Sequence, residues 1–148
     1  MKFSLLKSEV IYQSRALTLR HDHLKTPDER VVIYDIIEHR GSVIIVPVDE
    51  DGNIYFIRQY RHAAQEVMLE LPAGTLEVDE DPLVCAGREV REEVGMAAEH
   101  IQKIGGFYLA PGYSTEFMHV YLATGLRSDP LEMDEPVGAF AREGQLKP

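Results

Sequence analysis

The sequence predicts an α+β chain: a mostly β first half, then a central helix laid on a mixed sheet as an α/β/α sandwich, with antiparallel strands ahead of it. Three observations carry this prediction. Apolar and β-branched runs separated by turn residues fill the first sixty positions. Periodicity then switches to helical after Asp81, and two further strand-like runs follow.

The first strand runs fall at residues 10–12, 16–24, 31–37, 42–48 and 54–60. Thr26-Pro27-Asp28 breaks the second from the third, and Asp49-Glu50-Asp51-Gly52-Asn53 is a hairpin candidate between the last two. Asp81-Pro82 reads as an N-cap followed by Pro at the first helical position, and Gly95 stands just past the expected end, which predicts a helix over 82–94. Within it Leu83, Ala86, Val90 and Val94 form one apolar stripe that would pack on the sheet. Strands at 101–109 and 117–123 follow, joined by a loop around Pro111-Gly112.

The length of 148 residues suits one domain, 1–148, in which strands over 1–40 precede a core over 41–148. Fifteen basic against 25 acidic residues leave a net charge of −10, which argues against a surface that grips nucleic acid or an anionic membrane. An acidic enzyme with an anionic substrate needs local arginines and metal cations instead. The single cysteine, Cys85, allows no internal disulfide and reads as a small buried residue on the helix. Lys7 and Glu9 interrupt the N-terminal apolar run, and no later run approaches the length of a membrane span. The expectation is a soluble, cytoplasmic protein.

Chemistry concentrates on the helix. Glu89 and Glu93 are four apart and Glu92 is three from Glu89, so the three carboxylates share one face. Like charges at that spacing repel by a few tenths of a kcal/mol each, roughly, unless a cation sits among them. Oxygen donors without His or Cys suit Mg²⁺ or Mn²⁺ better than zinc. Taken alone, the triplet reads as a solvated acidic face, which glutamates on a helix usually are.

The flanking residues change that balance. Gly74, Glu80, Arg88, Glu89, Val90, Glu92, Glu93, Gly95 and Met96 match the Nudix box, G-x5-E-x7-R-E-U-x-E-E-x-G-U with U a bulky aliphatic residue, at every position. At background frequencies, chance would place the seven fixed residue types together about once in 10⁸ registers. The chain therefore resembles the Nudix hydrolase superfamily. That resemblance implies a mixed-sheet α/β/α sandwich and cleavage of a nucleoside diphosphate linked to another moiety. It implies metal ligation by Glu89, Glu92 and Glu93, with catalytic roles for Glu92 and Glu93, and Arg88 orienting the carboxylates. By the same likeness Gly74 permits a tight turn beneath the helix, and Glu80 fixes the loop.

Two segments outside the box, Arg58-Gln59-Tyr60-Arg61 and Glu70-Leu71-Pro72-Ala73-Gly74, resemble those of ADP-ribose and ADP-sugar pyrophosphatases, as does Pro111, fifteen residues beyond Met96. This branch implies that the Ala73 carbonyl joins the metal shell and that Arg58 or Arg61 binds the diphosphate or terminal ribose. It further implies a homodimer built through the N-terminal strands, and a water-activating acid near the C-terminus, for which Glu132 and Glu135 are the candidates beside Asp134. Glu116 is a candidate on the substrate side. Pro136 interrupts the strand expected after them. Tyr12, Tyr34, Phe56, Tyr60 and Tyr108 are candidates to stack on adenine, although a tyrosine on a strand more often serves core or interface. The six histidines show no ligand spacing.

The resulting expectation is Mg²⁺-dependent hydrolysis of ADP-ribose, or a related nucleoside diphosphate sugar, to a nucleoside monophosphate and a sugar phosphate. Alternatives are another nucleoside diphosphate derivative such as a dinucleoside polyphosphate, or a nonhydrolytic Nudix-fold nucleotide sensor. A family member devoted to NADH would carry a Trp-containing motif downstream, and this chain has no Trp.

Overall fold

The N-terminal strand runs form a three-stranded antiparallel sheet in the computed structural model, which describes residues 2–129 and, by backbone alone, 141–142. Strand β1 (Ser4–Gln13) pairs with β2 (Thr18–Lys25), and β2 pairs with β3 (Val31–Glu38). A turn closed by Ser14 N–H to Leu17 C=O (2.9 Å) joins the first pair. Between β2 and β3, the buried Thr26 hydroxyl accepts the Arg30 N–H at 3.1 Å, and Glu29 adopts φ 66°. The chain divides into two units, and this sheet belongs to the one comprising Met1–Gly41 and Phe107–Phe117. Its second segment is pinned to the end of β3 by Ile37 N–H to Tyr113 C=O (2.7 Å) and Thr115 N–H to Ile37 C=O (3.0 Å).

The other unit, Ser42–Gly106 and the chain from Met118 on, carries the helix. Its main sheet is ordered β7 (Ala73–Thr75), β4 (Ser42–Pro47), β9 (Phe117–Ser128), β8 (Met96–Tyr108). Strand β4 runs parallel to β9 and antiparallel to β7, so the sheet is mixed as predicted. A near-continuous apolar run, Ser-Val-Ile-Ile-Val-Pro, suits β4 to this position between two strands. A second sheet joins β5 (Ile57–Arg61) to β6 (Glu66–Glu70) and to β10 (Ala141–Arg142).

Helix α1 spans Pro82–Glu89. Asp81 caps it, its Oδ1 accepting the Leu83 N–H at 2.7 Å. The helix then widens into a π-helical turn, Val90–Val94, where the Gly95 N–H reaches back to the Val90 carbonyl. Gly95 ends it at φ 73°, the left-handed geometry that glycine adopts without strain. Ala86, Val90 and Val94 are buried against Val43, Ile45, Tyr121 and Ala123, as the stripe predicted. Leu83 is instead 47% exposed, and Cys85, fully buried, takes the inward position in the first turn. Each buried Val or Ile in this layer contributes about 1.5–3 kcal/mol of transfer free energy.

The Asp49–Asn53 turn forms, with the Asp49 carboxylate accepting the Asn53 N–H at 2.8 Å, but it does not open into a β4–β5 hairpin. A single bridge, Val48 to Ile54, and a Tyr55 N–H to Pro47 C=O bond at 3.0 Å follow it, while the ladders of β4 are made with β7 and β9. Strands β6 and β7 were not predicted. Among the described residues no helix is long and apolar enough to cross a membrane.

Candidate active site

Four elements of the second unit converge at the Nudix-box residues: α1, its π-helical extension, β7 and the loop over 76–81. Arg88 is the hub. Its Nε and Nη2 donate to the two Glu80 carboxylate oxygens at 3.1 and 3.2 Å, and its Nη1 donates to Glu89 Oε1 at 2.8 Å and Glu92 Oε2 at 3.1 Å. Glu80 also receives the Glu77 N–H at 2.9 Å, which ties the loop to the same guanidinium. These contacts hold the Arg88 pKa well above its usual value, with the Glu80 hydrogen bonds as the leading cause. The Cys85 thiol lies 3.3 Å from Nη2, and burial pushes its pKa up to about 12, so it stays a neutral thiol.

Glu89 is 7% exposed and packs directly over β7. A Cβ added at Gly74 would fall 1.9 Å from Glu89 Oε1 and 2.0 Å from its carboxyl carbon, so glycine at this position is what makes room for the carboxylate. Glu93 lies beside it, its Oε2 accepting the Ala73 N–H at 2.9 Å. Burial raises the pKa of both groups; at Glu89 the Arg88 charge opposes it, and Glu92 and Glu80 add to it. Glu93 reaches about 7, with burial outweighing the Ala73 hydrogen bond and Glu89 raising it further.

A hard divalent cation fits this donor set in kind. Every donor is oxygen, the buried Glu89 and half-buried Glu93 lie side by side, and the Arg88 guanidinium is divided among Glu80, Glu89 and Glu92. Among the described residues, no three acidic, His or Cys side chains converge tightly enough to form a cation cage by themselves. Glu89 and Glu92 share the same Arg88 nitrogen, at 2.8 and 3.1 Å.

Of the two arginines on β5, Arg61 is bound by Glu70, with Nε to Oε1 at 2.9 Å and Nη2 to Oε2 at 2.6 Å. Arg58 is half-buried in register with Leu69. Glu116 belongs to the other unit, where it lies 3.8 Å from His39 Nδ1. Glu132, Asp134, Glu135 and Pro136 lie outside the described residues. Tyr12, Tyr34, Tyr60 and Tyr108 are exposed and Phe56 is half-buried; Tyr108 meets Phe117 edge-on at 5.0 Å.

Sequence reasoning missed the Arg61–Glu70 pair and the Glu93–Ala73 bond. Finding them required strand β6, whose turn carries none of the usual markers: residues 62–65 are His-Ala-Ala-Gln, and Gln65 takes φ 57° where Gly or Asn is expected. The histidines, read as without chemistry, include two that face carboxylates across the N-terminal sheet, His21 to Asp35 and His23 to Glu9, each at 3.1 Å.

Comparison with known proteins matches residues 38–142 to the NUDIX domain. An ADP-ribose pyrophosphatase of Mycobacterium tuberculosis is 43% identical over 126 residues, covering 84% of this chain and 61% of that protein. One from Bacillus subtilis is 33% identical over 132 residues, covering 88% and 71%. The crystal structure of an ADP compounds hydrolase superposes with a TM-score of 0.84 at 26% identity, over 97% of this chain and 77% of that one. The chain thus spans about three fifths of the length of its tuberculosis relative.

Proposed function

The chain belongs to the NUDIX domain family, and from that premise we propose that it hydrolyses the diphosphate bond of ADP-ribose, or of a related nucleoside diphosphate sugar, with Mg²⁺ or Mn²⁺. The observation that carries this reading is the adjacent pair of carboxylates, Glu89 buried and Glu93 half-buried, set against the glycine turn of β7. Like charges so close and so poorly solvated are costly in a protein that has no use for a cation there. Names of two relatives, ADP-ribose pyrophosphatase in both, support the substrate class.

In this proposal Glu89 and Glu93 hold the cation, with Glu92 and the Ala73 carbonyl as further ligands by family resemblance. When bound, it would neutralise phosphoryl charge and lower the pKa of a coordinated water. Arg88 orients Glu89 and Glu92 from one side, and Gly74 lets the backbone close under Glu89. Arg58 is proposed for the substrate diphosphate, Glu116 for the substrate side, and Glu132 or Glu135 for activation of water.

The N-terminal sheet leaves Leu5, Val10, Tyr12, Val31 and Ile33 exposed, which supports its proposed use over 1–40 as the surface of a cytoplasmic homodimer. Sedimentation at micromolar concentration is expected to give twice the mass of one chain; a monomer would remove that part of the proposal.

The test of activity is incubation with Mg²⁺ and a panel of ADP-ribose, ADP-glucose, GDP-mannose, NADH and diadenosine polyphosphates, followed by assay of nucleoside monophosphate. Release is expected to be greatest from ADP-ribose. Release from none of them, with the compounds still bound, would favour a nucleotide sensor.

A further inference from the structure

The loop between β8 and β9, residues 109–116, is tied to itself before it is tied to anything else. The Ala110 carbonyl accepts the N–H groups of Tyr113 and Ser114 at 3.1 and 2.8 Å, which closes a turn over Pro111-Gly112. Glu116 is held at both of its backbone groups. Its N–H goes to Ser114 Oγ at 3.1 Å, and its carbonyl takes the Leu109 N–H at 3.1 Å. The loop then docks on the end of β3, where Ile37 and Ser114 form a parallel bridge through Ile37 N–H to Tyr113 C=O and Thr115 N–H to Ile37 C=O. One step further along, a side chain takes over from backbone. Thr115 Oγ1 accepts the His39 N–H at 2.9 Å and donates to the His39 carbonyl at 3.2 Å, so one hydroxyl serves both backbone groups of His39. The His39 ring is not what holds the neighbouring glutamate. Its Nδ1 accepts the Gly41 N–H at 3.1 Å, and the Glu116 carboxylate lies 3.8 Å from that nitrogen, outside hydrogen-bonding distance.

We propose that Thr115 is a positioning residue: its hydroxyl latches the loop to the backbone of His39 and so fixes where Glu116 presents its carboxylate to the substrate. The inference rests on the hydrolase reading above, in which Glu116 serves the substrate side, and adds a residue that acts only through that glutamate. Thr115 and Glu116 are both half-buried, and a single peptide unit, about 3.8 Å long, separates their Cα atoms. A displacement of Thr115 is therefore passed directly to Glu116, and a misplacement of about 1 Å in a group that contacts substrate can cost up to about 100-fold. Loss of the hydroxyl leaves the two Ile37 bonds in place, so the loop stays docked by its backbone and the expected effect is partial.

The test compares full-length wild type with Thr115→Val, Thr115→Ser, Glu116→Gln and the double variant Thr115→Val/Glu116→Gln. Valine keeps the branching and shape of threonine without the hydroxyl, and serine restores the hydroxyl. Two readouts are taken: amide hydrogen exchange at His39, with the amides of β2 as controls, and kcat and KM for ADP-ribose. In Thr115→Val the His39 amide is expected to exchange about fivefold faster or more while β2 holds. KM is expected to rise about five- to tenfold with kcat within about twofold, and Thr115→Ser to stay within about twofold of wild type in both. The double variant is expected to show the KM of Glu116→Gln, because the threonine acts through that carboxylate. Unchanged exchange at His39, acceleration that extends equally through β2, a serine variant no better than the valine one, or a KM rise from Thr115→Val as large without the Glu116 carboxylate as with it would overturn the proposal. Should wild type cleave nothing in the panel, the hydrolase reading fails, and His39 exchange together with the Kd of ADP-ribose, measured on the same variants, still decides the latch.

Discussion

At the scale of single residues the site is governed by how closely carboxylates approach backbone and each other. Gly74 is the sharpest case, because the space a methyl group would need is filled by the Glu89 carboxyl. Gly74→Ala is expected to push Glu89 outward and to destabilise the fold by about 1–3 kcal/mol, the usual range for overpacking; urea denaturation measures it, and wild-type stability and turnover would contradict the assignment. Glu93 sets a pH dependence. Its pKa rises from 4.5 in the unfolded chain to about 7 in the folded one, so between those values the folded state binds the proton more tightly. The resulting stabilisation is complete below about pH 4.5 and is lost as pH rises through about 7. Glu89, also raised, acts with the same sign. Metal-free protein is therefore expected to lose stability, on the order of 2 kcal/mol after allowance for partial exposure, across that window. Glu93→Gln should flatten the slope, as should saturating Mg²⁺, which favours the ionised form. A slope that Mg²⁺ leaves unchanged would count against Glu93 as a ligand.

At the scale of elements the helix that carries the Nudix-box glutamates is two structures in series. Its N-terminus was legible, since Asp81 and Pro82 are strong local signals and the cap is present. Its C-terminal turn was not, because the choice between α and π bonding there depends on how Val90 and Val94 seat on the sheet rather than on local propensity. Ala86, Val90 and Val94 were found by periodicity and Cys85 was read as buried, as it is, whereas Leu83, placed on the stripe, is exposed. The box residues were legible as a set. Their partners were not: β6 has a turn without Gly, Pro, Asn or Asp, and the bond from Ala73 to Glu93 spans 20 residues. Arg88 is the element's electrostatic centre, with contacts to Glu80, Glu89 and Glu92. Arg88→Gln should destabilise the protein by about 1–3 kcal/mol, since it strands carboxylates that are largely buried. Equal stability by thermal unfolding at neutral pH would show that those carboxylates are satisfied otherwise.

At the scale of the whole molecule, a net charge of −10 and the adjacent carboxylates of Glu89 and Glu93 are at odds with the proposed anionic substrate unless cations mediate between them. Arg88 is engaged by three glutamates and Arg61 by one, which gives a divalent ion a large share of the positive charge in the proposed diphosphate site. In the proposed reaction Glu93 acts through that metal in splitting the diphosphate. The most direct measurement is AMP release from ADP-ribose by wild type and Glu93→Gln across a Mg²⁺ titration, with binding of the substrate followed in parallel. Release is expected to require Mg²⁺ in wild type and to fall by about 100-fold or more in Glu93→Gln, with the fold and substrate binding retained. Release that persists without a divalent ion, or that Glu93→Gln leaves intact, would contradict it.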